Sequence, residues 1–146
     1  MKSAILITAR LKSERLPKKV MRLIKGKPLI KHIIDRLKLA KKPDRIILCT
    51  SPLEQDDPLE AVATEEGIDC FRGDPVDVLQ RLTDAAGEFD IDTVFNVTAD
   101  NPFVGPVYLD RLLDFLISNG LDYADTVGLP KGSYGWAMTY PAMLRA

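Results

Sequence analysis

Between residues 8 and 19 the chain reads TARLKSERLPKK, a loop that begins where the apolar run Ala4-Ile5-Leu6-Ile7 stops. Arg10, Lys12, Arg15, Lys18 and Lys19 crowd into it, with a rigid Leu16-Pro17 corner. Guanidinium and ammonium groups held together are what a polyphosphate requires, and arginine can bridge two oxygens at once. On the residues alone a second reading, a solvated basic loop, stays open. Further along, Thr98-Ala99-Asp100-Asn101-Pro102 follows the apolar stretch 93–97. A carboxylate in that place suits Mg²⁺, which takes one or two carboxylates plus substrate phosphates. The alternative for Asp100 is a turn or helix-capping role. Phe71-Arg72-Gly73-Asp74 follows a short strand-like stretch. There a glycine beside an arginine admits a base or ribose, or simply makes a tight turn.

The elements that must position these groups alternate in type. Strands are predicted over 2–8, 45–50, 69–71, 93–98, 122–126 and 135–139. Helices are predicted over 28–40, 58–66 (closed by Gly67), 75–89 and 106–119 (stopped by Gly120), with a new helix starting at Pro141. In the helix over 28–40, Leu29, Ile30, Ile33, Ile34, Leu37 and Ala40 share a face; in that over 75–89, Val78, Leu79, Leu82 and Ala86 point inward. Gly26-Lys27-Pro28 reads as a turn feeding the first helix. Alternation of this kind predicts an α/β fold with a mostly parallel sheet and helices on both faces. In such a sheet the carboxyl ends of the first strand and of the 93–98 strand face one crevice, where the basic loop and Asp100 would meet.

Composition bounds the rest. The chain has 146 residues, 46% apolar and 28% charged, with a formal net charge of −1. That is enough for one domain, residues 1–146, able to bury about 68–70% of its unfolded surface. Near-neutrality argues against a nucleic-acid partner, which requires a broad basic field; the positive charge is local to the first 45 residues. Cys49 and Cys70 match neither a disulfide framework nor a metal spacing and read as small buried residues. The apolar run near the amino terminus is too short for a signal peptide or a membrane span, so a cytoplasmic setting without a membrane partner is expected. His32 reads as a surface or flank residue, and Tyr134 and Trp136 as packing residues, with substrate stacking as the alternative. Walker, GxGxxG, HExxH and GxSxG patterns are absent from the sequence.

Taken together, TARLKSERLPKKVMRLIKGKPLIKHIIDRL, FRGDPVDVLQR and TADNPFVGP resemble successive motifs of the CMP-sugar-acid cytidylyltransferases, in particular the spore coat polysaccharide biosynthesis protein F branch. The likeness runs over about residues 4–110. It implies a Rossmann-like nucleotidyltransferase sheet. It also implies transfer of CMP from CTP to a sugar acid or related sugar, with release of pyrophosphate, Mg²⁺ as cofactor, and surface polysaccharide or glycoconjugate biosynthesis as the setting. By the same resemblance Arg10 and Lys19 match a phosphate-binding pair, with Ala9 beside them. Arg15 matches the signature arginine, Asp100 the metal-binding aspartate, and Arg72 and Gly73 a segment near the nucleotide. Three departures accompany it. Lys12 and Lys18 stand where the family often has glycine. Tyr134 and Trp136 stand where the branch has acidic residues. The family also continues beyond this length, into a part carrying a second metal-binding aspartate and often dimer contacts, so the chain reads as truncated at its C-terminus; a homodimer is among the partners the resemblance implies, with the oligomeric state of this piece left open. Two alternatives are a truncated or diverged nucleotide-binding module without catalysis and a nucleotidyltransferase of the same fold using another nucleotide.

Overall fold

Ser3–Thr8 forms β1, and Ala4, Ile5, Leu6 and Ile7 within it have no exposed surface. An unbroken apolar run of this kind can only be a strand covered on both faces, the central position of a parallel sheet. The computed structural model describes residues 1–12, 18–129 and 134–146. After β1 come β2 (Leu23–Ile24), β3 (Lys27–Pro28), α1 (Leu29–Leu37), β4 (Arg45–Thr50) and α2 (Asp57–Glu66). Then follow β5 (Asp69–Arg72), α3 (Val78–Glu88), β6 (Thr93–Thr98), α4 (Pro106–Ser118), β7 (Tyr123–Asp125), β8 (Trp136–Thr139) and α5 (Tyr140–Arg145).

The large sheet has the order β5-β4-β1-β6-β8-β7. Neighbours among β5, β4, β1 and β6 are parallel, whereas β8 runs antiparallel to both β6 and β7. Helices cover both faces, as the alternation of elements predicts. On one face α1, α2 and α4 place Ile30, Ile34, Val62 and Leu113 against Ile5, Leu48 and Phe95. On the other, α3 and α5 place Leu82, Ala85, Ala86 and Met143 against Ala4, Leu6, Ile47 and Val94. Among the described residues no helix is long and apolar enough to cross a membrane.

The structure departs from the sequence reading in three places. The turn expected at Gly26-Lys27-Pro28 lies one residue earlier. Lys25 (φ 51°) and Gly26 (φ 77°) form the tip of the small β2–β3 hairpin, with Leu23 opposite Pro28. Two consecutive positive φ values are what a twisted two-residue hairpin requires. In α3 the inward face is shifted, because Arg81, Leu82, Thr83, Ala85 and Ala86 are buried whereas Val78 is exposed. Its start falls later than Pro75, since the Asp77 carboxylate accepts the Gln80 amide at 3.0 Å and caps the helix there. Tyr134 is exposed rather than packed, while Trp136 stacks on Tyr123 with ring centroids 6.5 Å apart.

The sheet order has a consequence for function. From β1 the chain winds outward to β4 and β5, then crosses back to β6 on the other side of β1. The carboxyl ends of β1 and β6 therefore flank the point where the winding reverses, the place at which open α/β sheets leave a crevice. Thr8 of β1 lies opposite Thr98 of β6, and the Ala99 amide continues the ladder to the Thr8 carbonyl at 3.0 Å. Arg10 and Asp100, two residues past each strand end, emerge side by side.

Candidate active site

Arg10 is held by a buried carboxylate. Its Nε donates to Asp56 Oδ2 and its Nη1 to the Pro75 carbonyl. Asp56 has no exposed surface; its Oδ1 accepts the Leu11 amide at 2.8 Å and its Oδ2 accepts the Ser51 hydroxyl. Burial alone would raise the carboxyl's pKa. The Leu11 amide, the Ser51 hydroxyl and the Arg10 guanidinium outweigh that and hold it below the usual carboxylate range. Asp56 thus ties β4, the entry of α2 and the basic loop into one hub, leaving Nη2 of Arg10 clear of the two bonds that anchor it.

Lys19 reaches the site from a single 3-10 turn, Lys19–Met21, pinned by the buried Val20. Its Nζ lies 2.9 Å from Asp100 Oδ2. The hydrogen bond from Lys19 lowers the Asp100 pKa, against some desolvation and with help from the Thr98 side chain. Both partners are more than two-fifths exposed, so the pair itself adds about 0–1 kcal/mol to stability. An open cleft of about 240 Å³ lies between these groups, lined by Ala9, Arg10, Lys19, Arg81, Thr98 and Asp100 among others.

The structure therefore brings together Ala9, Arg10, Lys19 and Asp100. Arg15 lies outside the described residues, as does the Leu16-Pro17 corner. Arg72 is directed elsewhere. Its guanidinium donates to the Ser51 carbonyl (2.7 Å), the Leu53 carbonyl (2.9 Å), Glu60 (2.6 Å) and Asp57 (2.7 Å), joining β5 to the start of α2. It does not line the cleft. Gly73 serves close packing: a Cβ there would stand 2.4 Å from the Phe71 ring and 3.3 Å from Arg81 Cγ.

Asp100 suits a metal that arrives with its own ligands. Mg²⁺ is commonly held by one or two carboxylates plus substrate phosphates, and a single carboxylate beside cationic lining fits that pattern. Among the described residues no three His, Cys, Asp or Glu side chains cluster as a self-sufficient metal site. Nor is either thiol activated. Burial pushes Cys70 up to about 11 and Cys49 higher still, so neither supplies a thiolate at neutral pH. The cleft can bind a polyanion, orient it and neutralise charge.

Comparison with known proteins bears directly on this arrangement. The profile of the cytidylyltransferase family matches residues 4–140. The chain belongs to the cytidylyltransferase family. It is 33% identical over 134 residues to the spore coat polysaccharide biosynthesis protein SpsF of Bacillus subtilis, covering 89% of this chain and 56% of SpsF. It is 30% identical over 115 residues to the 3-deoxy-manno-octulosonate cytidylyltransferase of Pelobacter propionicus, covering 77% of this chain and 44% of that protein. A solved cytidylyltransferase from Leptospira borgpetersenii superimposes with a TM-score of 0.94 at 28% identity, covering 99% of this chain and 63% of the other. This cytidylyltransferase-family chain thus spans about half the length of the curated relatives it matches.

One departure from the family pattern has a structural counterpart. Lys18, where the pattern has glycine, adopts φ 55° and ψ 31°, the left-handed region. For a residue with a Cβ that conformation costs about 1–2 kcal/mol. Glycine there forfeits about 0.5–1 kcal/mol of chain entropy. Lys18→Gly is therefore expected to raise stability by about 0.5–1 kcal/mol, read as a higher urea midpoint at constant slope. A lower midpoint would mean that the Lys18 side chain supports the turn by contacts that outweigh its strain. Of the altered residues, Tyr134 lies beside Asn101, whose Nδ2 donates to the Tyr134 carbonyl at 3.3 Å. The segment between them and the family's proline, Pro130-Lys131-Gly132-Ser133, lies outside the described residues.

Two residues at this site escaped the sequence reading. Asp56 sits in EQDD, which looks like the solvated acidic start of a helix. Arg81 closes the FRGDPVDVLQR stretch, but the site reading of that stretch fell on Arg72 and Gly73, and Val78, Leu79, Leu82 and Ala86 were the residues turned inward.

Proposed function

We propose that this chain is the nucleotide-binding part of an enzyme that transfers CMP from CTP to a hydroxyl of a sugar acid or related sugar. The observation that carries the proposal is the convergence of Arg10, Lys19 and Asp100 at the reversal point of the sheet. In the reaction the acceptor oxygen bonds to the α-phosphorus, the α–β phosphoanhydride bond breaks, pyrophosphate leaves, and the hydroxyl proton passes to solvent. Negative charge grows on the departing pyrophosphate. Nη2 of Arg10 and Nζ of Lys19 are the donors placed to hold it, Arg10 preset by Asp56 and Lys19 by its pinned turn. Such positioning and charge stabilisation are the main contributions a protein makes to this chemistry, and no protein nucleophile is required. A divalent cation held by Asp100, when bound, supplies neutralisation of the phosphate oxygens and acidifies the attacking hydroxyl.

The names of the relatives, one a polysaccharide biosynthesis protein and one a cytidylyltransferase for an eight-carbon sugar acid, support the sugar-acid acceptor and the glycoconjugate setting. A second reading, nucleotide binding without turnover, is favoured by Tyr134 and Trp136 at the acidic positions of the branch. Calorimetric titration with CTP, UTP, ATP and GTP in Mg²⁺ tests the nucleotide, and CTP is expected to bind tightest. Pyrophosphate release with candidate sugar acids separates the two readings. An absence of heat with every nucleotide would sink both.

The basic loop makes a more local prediction. Lys19→Ala removes a charged hydrogen bond worth about 1.5–3 kcal/mol and is expected to weaken CTP binding at least 10-fold. Lys12→Ala, on the exposed side of the loop, is expected to change it less than about 3-fold. Equal effects would reduce the loop to a diffuse positive field.

A further inference from the structure

Arg81 is the largest side chain in the described protein with almost no exposed surface, at 1%. Among the described residues its guanidinium makes one hydrogen bond, from Nη1 to the Asp74 carbonyl at 2.7 Å, and its buried Nε has no acceptor. The carboxylates nearest to it are engaged elsewhere: Asp56 by Arg10, Leu11 and Ser51, and Asp74 by the Val76 and Asp77 amides at 2.9 and 2.8 Å. Burial lowers its pKa and repulsion from Arg10 adds to that, against the pull of Asp56 and Asp74. A buried charge lacking a paired anion is unfavourable, and an unmet buried donor adds to that. Arg81 also lines the cleft beside Arg10, Thr98 and Asp100.

We propose that Arg81 is a second polyphosphate-binding guanidinium, with phosphate oxygens as the acceptors its side chain lacks among the described residues. The inference rests on the nucleotide reading for its biological ligand, but its chemistry calls only for a di- or triphosphate. Burial gives the group two advantages over a surface cation. Its rotamer is held by α3 and by the packing against Gly73, so little freedom is lost when the ligand arrives. Its field acts in a region of low dielectric, where it is screened little by water. Arg10 and Arg81 then both present guanidinium groups to the cleft, one anchored by a carboxylate and one by a carbonyl.

The test uses inorganic tripolyphosphate, CMP and CTP as probes in calorimetric titrations of wild type, Arg81→Gln and Arg81→Lys, with unfolding temperatures measured alongside. The wild type is expected to bind tripolyphosphate. Arg81→Gln is expected to weaken tripolyphosphate and CTP by 10-fold or more and CMP by less than about 3-fold, with Arg81→Lys intermediate. A merely structural arginine would lower the unfolding temperature and weaken CMP and CTP equally, and that outcome overturns the proposal. So does a wild type that ignores tripolyphosphate. Tripolyphosphate binding that depends on Arg81, without preference for CTP, would uphold the proposal while refuting the cytidine reading. Should both variants unfold, the ¹⁵N–¹H resonances of the Arg81 guanidinium in the unmodified protein are expected to shift on addition of tripolyphosphate; unchanged resonances overturn the proposal.

Discussion

Replacing Asp56 by alanine is expected to cost about 3–5 kcal/mol of stability and to abolish measurable CTP binding. The figure is what removal of one partner from a buried ion pair typically costs, because the other charge is left stranded. Here Asp56→Ala strands Arg10 Nε, the Leu11 amide and the Ser51 hydroxyl together. For a domain whose whole stability is about 5–15 kcal/mol, that is a large share. The loss of binding follows from position, since Leu11 and Arg10 open the basic loop and neither keeps its anchor. The pKa of Asp56 also assigns a pH signature. Its folded value lies below the unfolded one, so its contribution is complete above the unfolded carboxylate value near 3.9 and disappears as pH falls through the folded value. Acid titration of the unfolding midpoint should therefore show a steeper loss below about pH 4 in the wild type than in Asp56→Asn. An Asp56→Ala protein with wild-type midpoint and CTP affinity would refute the hub.

Asp100→Asn separates function from stability. The rate of pyrophosphate release is expected to fall by about 10²–10³-fold, the usual loss when one preorganised electrostatic group is removed from a reacting centre. The unfolding midpoint is expected to change by less than about 1 kcal/mol, because the Lys19–Asp100 pair is exposed. Binding gives a second readout that needs no turnover. In the wild type Mg²⁺ should strengthen CTP binding, and in Asp100→Asn that enhancement should vanish while CTP alone binds no worse. A variant that keeps its Mg²⁺ dependence would remove Asp100 from the metal role. The contrast between the two aspartates is one of burial. Asp56 is enclosed and its partners are structural, whereas Asp100 is partly exposed and faces the cleft beside Lys19 and Thr98.

The strands and helices that frame the site were largely legible, because hydrophobic periodicity reports local geometry and the face each element buries. The carboxyl end of β1, the apolar strand before Asp100 and the helix start near Pro141 follow from residues close together in sequence, whereas the Asp77 cap went unseen because Pro75 offered an earlier start. The β2–β3 hairpin was harder to see. Its strands are two residues long, and its turn places Lys25 at positive φ where the usual asparagine or aspartate signal is missing.

Charge partners were not legible. Arg72 follows a strand and precedes a glycine, a pattern as suited to a nucleotide as to a turn. Only the fold shows that Asp57 and Glu60 at the start of α2 lie within reach of its guanidinium.

By itself, then, the sequence determined an alternating α/β chain with a basic loop after the first strand and an aspartate after the 93–98 strand, and its motifs identified the family. The tertiary structure decided which charges meet. Arg10 and Asp56 are 46 positions apart and Lys19 and Asp100 are 81 apart. Periodicity encodes which side of an element is apolar, but it carries no record of which loop the sheet order sets across a cleft. The burial of Arg81 is the same case: the sequence reading turned Val78, Leu79, Leu82 and Ala86 inward, and the want of an acceptor for the Arg81 Nε among the described residues exists only once the elements around it are packed together.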